Sequence, residues 1–250
     1  MPDSSPEAAA AASARIWVVL PTYDEAENIE RLVGAVRERL PGSRRILIVD
    51  DNSPDGTGQI ADRLAAAHDD VSVLHREHKQ GLGPAYIAGF HEALAGGAEV
   101  ILEMDSDFSH DPAYLPQLLR AVEKADLAIG SRYVPGGGIT DWGPLRRLIS
   151  RGGSRYARVI LGVEVRDLTG GFKCFRREVL EAIDLGAVSA LGYAFQVELT
   201  YRAIEAGFRV VEVPIVFRDR KAGRSKMSKA IVAEAIWRVP ALRLCRRRGA

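Results

Sequence analysis

The sequence predicts an α/β fold with a mostly parallel central sheet. From residue 15 onward, short apolar stretches alternate with stretches whose apolar residues lie three and four positions apart, the pattern of alternating strands and helices. The connections are short, as expected where right-handed crossovers join neighbouring parallel strands. The apolar stretches lack regular polar alternation, which is typical of strands covered on both faces. With 250 residues, of which 47% are hydrophobic, the chain is long enough for one large domain of this class.

The first half of the chain contains a regular series of predicted strands. They are short, mostly apolar, and lie at 15–20, 44–50, 71–75, 98–104 and 125–130. The helices predicted between them run from Ile29 to Leu40, through Ile60 and Leu64, over 84–95 and over 112–124. Before the last of these helices, Asp111 precedes Pro112, which is typical of an N-cap followed by proline in the first turn.

The second half is less regular, and no domain boundary is evident in it. A glycine-rich loop at 134–144 precedes a helix that is predicted over 144–161. Residues 167–180 are interpreted as a turn, a short strand and a helix, and residues 192–207 have helical spacing with a glycine at the end. A late strand is predicted at 208–217, where Pro214 indicates an edge position because proline cannot donate a hydrogen bond.

The two ends of the chain differ in composition. Residues 1–14 are small, polar and alanine-rich with no basic stretch before an apolar core, so we expect a disordered tail rather than a signal peptide. Residues 226–250 form an amphipathic basic segment, which suits either an interfacial helix on an anionic membrane or a helix packed on the domain or on a partner subunit. No window approaches 18 uncharged apolar residues.

Charge and cysteine content exclude some classes of protein. The net charge of +1 does not indicate binding to nucleic acid. Cys174 and Cys245 are too few for a disulfide scaffold and lack the spacing of a zinc site, and we expect both to be reduced, as in the cytosol. The glycine-rich stretch 79–85 lacks the spacing of a P-loop or a dinucleotide fingerprint, and no Ser–His–Asp arrangement is recognisable. The histidines show no metal-binding spacing, and most are expected to face solvent.

Acidic residues are concentrated at strand ends. Asp105 and Asp107 follow the predicted strand 98–104, and Asp50 and Asp51 end the strand 44–50. Ligands of parallel sheets bind beyond the carboxyl ends of the strands, where these side chains should lie. An Asp-x-Asp pair there suits Mg²⁺ or Mn²⁺, which favour oxygen ligands and keep positions open for substrate phosphates. A carboxylate at 50 or 51 suits hydrogen bonds from a nucleotide.

Several arginines indicate an anionic ligand. Arg132 follows the predicted strand 125–130 at the ligand edge. Arg146 and Ser150 lie four positions apart on the predicted helix 144–161 and therefore on one face. Guanidinium groups suit phosphate oxygens, which they can bind with two parallel hydrogen bonds. The other arginines of this helix, Arg147, Arg155 and Arg158, are expected to form a solvated basic face.

Seven motifs occur together in the order found in one enzyme family. They are PTYDEAENI, VDDNSPDGT, MDSDFSHDP, GSRY, LTGGFKCFRR, GYAFQVEL and RKAGRSKMS. In these motifs the chain resembles polyprenol-phosphate (dolichol-phosphate) mannose synthases, which are inverting family-two glycosyltransferases with a GT-A fold. The resemblance runs from about residue 15 to residue 230 and implies a GT-A glycosyltransferase domain over 15–225.

The resemblance implies a role for individual residues. Those that match the nucleotide-binding positions of the family are Pro21, Tyr23, Glu25 and Asp51, with Asp50 beside them. Asp105 and Asp107 match the metal-binding Asp-x-Asp, and Ser109 takes a position where some relatives have a further metal ligand, Gln. Those that match the residues holding the lipid phosphate are Arg132, Arg146 and Ser150. Arg220 matches an arginine near the donor phosphates, and Asp107, Arg132 and Arg220 are the expected catalytic residues.

The resemblance also implies a reaction. The family transfers mannose from GDP-mannose to a polyprenyl phosphate with inversion, using Mg²⁺ or Mn²⁺, and gives a β-linked mannosyl phosphate. The acceptor is already anionic, which agrees with the missing general base. Because many relatives carry C-terminal transmembrane helices that are not found here, we expect a peripheral protein at the cytosolic membrane face, held by residues 226–248 or a membrane-spanning partner. Transfer of glucose or another sugar, and a non-catalytic sugar-nucleotide-binding subunit, are the alternatives.

Overall fold

A computed structural model describes residues 15–40, 42, 44–188, 193–219 and 237–244. The strands are β1 (Ile16–Thr22), β2 (Arg44–Asp50), β3 (Val71–His75), β4 (Val100–Glu103), β5 (Leu127–Ser131), β6 (Gly138–Ile139), β7 (Lys173–Arg176), β8 (Val210–Pro214) and β9 (Val216–Phe217). The α-helices are α1 (Ile29–Arg39), α2 (Thr57–Ala67), α3 (Leu82–Ala95), α4 (Leu115–Val122), α5 (Pro144–Leu161), α6 (Arg177–Ala182) and α7 (Tyr193–Glu205). Short 3₁₀ turns lie at Pro112–Tyr114 and Leu185–Ala187, and residues 237–244 are helical.

The central sheet has seven strands in the order β3-β2-β1-β4-β7-β5-β8. All neighbouring pairs are parallel except those of β7, which runs antiparallel to both β4 and β5. The prediction of a mostly parallel α/β fold is therefore confirmed. The sequence predicted a short strand near residue 173, but the antiparallel direction and central place of β7 are findings of the structure.

Helices cover both faces of the sheet, which explains why most residues of its central strands are apolar. In β1, Val18 and Leu20 pack into a core cluster that includes residues of α1 and α4, while Trp17 and Val19 pack into a second cluster with residues of α3 and α7. Helix α3 lies so close to the sheet that a Cβ on Gly89 would be 2.4 Å from Cγ1 of Val19. A side chain at position 89 would therefore push the helix away from the strand.

Local sequence signals account for several element boundaries. Helix α5 has the bounds predicted for it, and the side chain of Asp111 accepts the N–H of Ala113 at 2.9 Å, which confirms the predicted N-cap. The capped segment begins as a 3₁₀ turn before it continues as α4. The predicted late strand 208–217 is divided in two: β8 is the edge strand that Pro214 indicated, and β9 pairs with β6 in a separate parallel sheet.

The predicted tail at 1–14 lies outside the described residues, as does Cys245. Within the segment 226–250 only residues 237–244 are described, and there Val239 is buried in the core while Trp237 and Leu244 are exposed. This part of the segment therefore packs on the domain. Among the helices that the structure describes, none combines the length and the apolar character needed to cross a bilayer.

Candidate active site

The topology of the sheet predicts a ligand-binding crevice beside β1. The chain moves outward from β1 to β3 and then returns to β4 on the other side of β1, so the strand order reverses between β1 and β4. At such a point the loops after neighbouring strands diverge and leave room for a ligand at their carboxyl ends. The loop after β4 remains tied to the end of β1, because the hydroxyl of Ser106 donates to the carbonyl of Pro21 at 2.9 Å.

The Asp-x-Asp pair lies at this crevice, and each carboxylate has a donor that fixes it. The hydroxyl of Tyr86 donates to Oδ1 of Asp105 at 2.9 Å, and the backbone N–H of Ser109 donates to Oδ1 of Asp107 at 3.0 Å. The N–H of Ser109 lies just after Phe108, whose φ of 60° is unusual for a bulky residue. Ser109 is thus placed to orient Asp107 through its backbone.

His110 is buried behind the pair, whereas His75, His78 and His91 are exposed as expected for most histidines. The Nδ1 of His110 accepts the backbone N–H of Asp105 at 3.1 Å, and its ring stacks on Phe172 with centroids 4.9 Å apart. Because Nδ1 accepts an N–H, it carries no proton, and burial also lowers the pKa of His110 although Asp105 and Asp107 act against this. The sequence offered one signal for this role: His110 is three residues beyond an acidic pair at a strand end.

A cluster of three buried polar side chains lies at the end of β4. Glu103 and Lys173 are cross-strand partners on β4 and β7, both completely buried, with Nζ and Oε2 4.0 Å apart. Gln196 of α7 joins them, since its amide donates to Glu103 and its side-chain oxygen accepts from Lys173. Burial raises the pKa of Glu103 to about 7 against the opposing effect of Lys173, whose own pKa is lowered by burial. Sequence reasoning did not find this cluster.

Asp50, the last residue of β2, and Asp51, which follows it, are both buried and have partners within the protein. Asp50 accepts the hydroxyl of Ser53 at 2.6 Å and supports the turn into α2. Asp51 is paired with Arg76 and also accepts the N–H groups of Gln80 and Gly81, both at 3.3 Å. The carboxylate of Asp51 therefore joins the loop after β2 to the loop that precedes α3.

The loop after β1 contains the other predicted nucleotide contacts. The ring of Tyr23 lies under the ammonium of Lys79, 3.5 Å from the centroid, which is a cation–π contact. Glu25 accepts from the side chain of Asn28 at 2.8 Å, and its backbone N–H donates to Thr57 at 3.0 Å. These contacts bring the loops after β1 and β2 together at one edge of the sheet, next to Pro21.

Arg132 is held by a carboxylate that sequence reasoning missed. Its Nε and Nη2 donate to the two oxygens of Asp167 at 2.7 and 2.6 Å, and Nη2 also donates to Thr169 at 2.8 Å. The two side chains are 5% and 0% exposed. This pairing follows from the topology, because an antiparallel β7 starts at the edge where the parallel β5 ends. The segment before β7 therefore meets Arg132.

The structure brings Arg146 and Ser150 close to Arg132. The guanidinium of Arg146 lies 4.1 Å from the ring centroid of Trp142, and that of Arg132 lies 5.8 Å from the same centroid. Arg146 also pairs with Asp219 at 2.8 Å, while the hydroxyl of Tyr133 donates to Ser150 at 2.7 Å. Trp142 is thus shared by both arginines, a role that its place in a glycine-rich loop did not indicate. Arg220 lies outside the residues that the structure covers.

The donor set fits a divalent cation whose coordination is completed by substrate. Within the described ranges, no group of three or more His, Cys, Asp or Glu side chains is placed to hold a metal. Mg²⁺ and Mn²⁺ are commonly bound through one or two carboxylates together with substrate phosphates. Asp105 and Asp107 provide such a pair, and the donors on Oδ1 of each would fix the orientation of the two ligands.

The mostly parallel sheet with an Asp-x-Asp pair at the carboxyl ends of its strands agrees with the GT-A fold that the resemblance implied. Solved structures with the same fold include glucosyl-3-phosphoglycerate synthase from Mycobacterium tuberculosis in complex with Mn²⁺, UDP-glucose and glycerol 3-phosphate. The two chains are 21% identical with a TM-score of 0.65, over 95% of this chain and 82% of the other. The same enzyme with Mg²⁺ and UDP gives a TM-score of 0.69 at 20% identity, over 94% and 81% of the two chains.

The family is established by sequence. Residues 17–184 match the model of glycosyl transferase family 2, and the chain belongs to this family. It is 54% identical over 228 residues to the polyprenol monophosphomannose synthase of Mycolicibacterium smegmatis, covering 90% of this chain and 85% of that protein. It is 50% identical over 222 residues to the undecaprenyl-phosphate mannosyltransferase of Micrococcus luteus, covering 89% and 91%. The predicted resemblance is confirmed.

Proposed function

We propose that this protein transfers mannose from GDP-mannose to a polyprenyl phosphate, with inversion at the sugar and with a divalent cation. The names of the two relatives, at 54% and 50% identity, support mannose as the sugar and a polyprenyl phosphate as the acceptor. The observation that carries the proposal is the arrangement of two unlike groups at one sheet edge. An Asp-x-Asp pair follows β4, and two arginines flank Trp142 beyond β5.

The acidic group is assigned to the donor. Asp105 and Asp107 would hold Mg²⁺ or Mn²⁺, which would neutralise the charge that develops on the leaving diphosphate. Arg220 would add a second positive charge there. The nucleotide would lie against the loops after β1 and β2, in contact with Pro21, Tyr23, Glu25 and Asp51, with Asp50 beside them.

The arginines are assigned to the acceptor. Arg132, Arg146 and Ser150 would hold the lipid phosphate, whose oxygen attacks the anomeric carbon while the bond from that carbon to the diphosphate breaks. A phosphate is already ionised at neutral pH, so the protein needs no general base. Asp167 holds Arg132 in position through two hydrogen bonds to its guanidinium. A single in-line displacement inverts the anomeric carbon and gives a β-linked mannosyl phosphate.

The proposed acceptor is a membrane lipid, so the protein would act as a peripheral protein at the cytosolic membrane face. Attachment through the segment 226–250 or through a membrane-spanning partner protein belongs to the same proposal. The Arg-rich α5 contributes two of the proposed acceptor contacts, Arg146 and Ser150, and it would therefore approach the lipid headgroups.

A transfer assay tests the proposal. Purified protein is incubated with Mg²⁺ or Mn²⁺, a detergent-dispersed polyprenyl phosphate and a panel of labelled nucleotide sugars, and the lipid-linked product is extracted. We expect product with GDP-mannose, and loss of product on chelation with EDTA. A preference for UDP-glucose would overturn the assignment of the sugar, and no transfer from any donor would favour a non-catalytic nucleotide-binding role.

Two aspartate variants locate the cation. Asp107→Ala is expected to abolish metal-dependent transfer while the protein remains folded. The matched control is Asp69→Ala, which removes an exposed carboxylate just before β3, at the opposite edge of the sheet. Full activity of Asp107→Ala would mean that the cation is held by other residues, and an equal loss in both variants would indicate a general effect of lost charge.

A further inference from the structure

We propose that α5, together with an arginine-lined cavity beside it, forms a docking surface for an anionic phospholipid bilayer. This inference rests on the proposed function, because a bilayer is the expected occupant only if the acceptor is a membrane lipid. It assigns the membrane contact to an internal helix of the domain. The sequence had suggested the C-terminal segment or a membrane-spanning partner for membrane attachment.

The first observation is that α5 is apolar on its outer face. Ser154, Ala157 and Leu161 are buried against the domain. On the opposite side lie large apolar side chains at positions 145, 148, 149 and 159, which are three, four and fourteen residues beyond the first of them and so share one face. Leu145, Leu148 and Val159 are 65–69% exposed, and Ile149 is 44% exposed. Outward helix faces in water are normally polar, and a row of exposed apolar residues on one helix marks a contact surface.

The second observation is the charge beside this apolar row. Helix α5 contains five arginines and no acidic residue, and Arg147, Arg151, Arg155 and Arg158 are all exposed. A helix with apolar side chains and arginines on its exposed surface suits the boundary between headgroups and acyl chains. There the long arginine side chains can reach phosphates while their methylene groups contact apolar surface.

The third observation is the cavity. It measures about 350 Å³ and is lined by Tyr133, Arg151, Arg155, Arg158, Val159 and Arg166. Its described lining contains four arginines and no carboxylate, so it is complementary to an anion. Two of the three arginines that were expected to form a solvated basic face, Arg155 and Arg158, therefore line this recess. Tyr133, which donates to Ser150, joins this recess to the proposed acceptor site.

These observations favour a bilayer over a protein partner. A lipid phosphate reaches the protein only from its membrane, and Arg146 and Ser150 lie on the first two turns of α5. If the outer face of α5 lies in the headgroup layer, those two residues are held at the depth of the acceptor phosphate. The helical segment 237–244 packs beside the end of α5, where Arg243 donates to the carbonyl of Ile160, and it presents the exposed Trp237. Tryptophan is enriched at membrane interfaces.

Vesicle binding tests the proposal. The full-length protein is sedimented with vesicles of equal parts phosphatidylglycerol and phosphatidylcholine, and with vesicles of phosphatidylcholine alone. We expect binding to the first kind and little to the second. Each arginine near an anionic surface adds roughly fivefold in binding, so the triple variant R151Q/R155Q/R158Q should bind on the order of 100-fold more weakly. The double variant L145S/L148S should also weaken binding.

A matched control separates this surface from net charge. The variant R39Q/R63Q/K124Q removes three exposed positive charges on α1, on α2 and after α4, and it should bind vesicles as the wild type does. The proposal would be overturned if the two triple variants lost vesicle binding equally. It would also be overturned if the wild type did not bind vesicles, or if R151Q/R155Q/R158Q bound them as well as the wild type does. Tight binding of inorganic phosphate at the cavity without vesicle binding would overturn it too, because the site would then serve a soluble anion.

A vesicle-free transfer assay separates this proposal from the proposed function. With a short-chain prenyl phosphate in detergent, R151Q/R155Q/R158Q should transfer mannose at the wild-type rate. Normal transfer with normal vesicle binding by this variant would overturn the docking surface alone. No transfer by the wild type, with vesicle binding still dependent on these arginines, would overturn the proposed function alone. Loss of transfer by the variant in detergent would place the arginines in the acceptor site and overturn a docking role.

Discussion

Asp167→Ala is expected to destabilise the protein by about 3–5 kcal/mol, because it leaves a buried guanidinium without its carboxylate. Arg132 and Asp167 are 5% and 0% exposed, so the pair is shielded from solvent. The variant removes the acceptor of three hydrogen bonds from Arg132: from its backbone N–H at 2.9 Å, from Nε at 2.7 Å and from Nη2 at 2.6 Å. The hydrogen bond from Nη2 to the hydroxyl of Thr169 would remain, but it does not balance the positive charge.

The loss is measured by urea unfolding and by thermal unfolding followed by circular dichroism. For a chain of this size, a change of 3–5 kcal/mol corresponds to a fall in Tm of roughly 6–20 °C. The double variant R132M/D167N removes the charge on both sides, and its asparagine can still accept the backbone N–H of residue 132. We expect it to recover more than half of the stability lost in Asp167→Ala, because a buried pair is costly chiefly when one partner is missing.

Activity distinguishes the structural role of the pair from its proposed role at the acceptor. Asp167→Ala and R132M/D167N should both lose mannosyl transfer, although only the first should be strongly destabilised. A loss of stability below about 1 kcal/mol in Asp167→Ala would refute the reasoning, since breaking a buried pair should cost more. So would a double variant that is no more stable than the single one.

Three further predictions concern single side chains. Tyr86→Phe should weaken Mn²⁺ binding about 10- to 100-fold by titration calorimetry, because Asp105 loses a donor that orients it; unchanged affinity would contradict this. The hydrogen bond with Asp62 raises the pKa of His75 above 6.5. Protonated His75 therefore stabilises the folded protein below pH 6.5, and this contribution is lost as the pH rises through the raised pKa. In urea unfolding, His75→Gln should remove this pH dependence of stability. The effect should stay below about 1 kcal/mol because the ring is half exposed, and a larger effect would contradict the prediction. Burial raises the pKa of Cys174, so a thiol reagent should modify it only after unfolding, and rapid modification of the native protein would disagree.

Much of the fold could be predicted because its signals are local. The apolar runs of β1 and β2, the spacing of α5 and the cap at Asp111 each depend on residues that are close in sequence. The place of Asp105 and Asp107 at the ligand edge follows from one further rule, that parallel strands all end on the same side of a sheet.

The rest depends on which strands become neighbours. Asp167 precedes a short strand of unknown direction, and only the antiparallel pairing of β7 brings it to Arg132. Lysine is usually found at the protein surface, yet the place of β7 between β4 and β5 buries Lys173 opposite Glu103. Nothing in the local sequence identifies those partners, so the buried polar groups that support the site were not predicted.

The place of β7 also has a consequence for the order in which the protein folds during synthesis. Both sheet neighbours of β5, which are β7 and β8, are made after it, whereas β1 to β4 pair among themselves. A nascent chain that ends before β7 can therefore assemble the β1–β4 unit, while β5 waits for a partner that follows α5. Contacts across such long separations form slowly. We expect the edge that we assign to the nucleotide to form first and the Arg132–Asp167 pair to form late, when the ribosome has released β7.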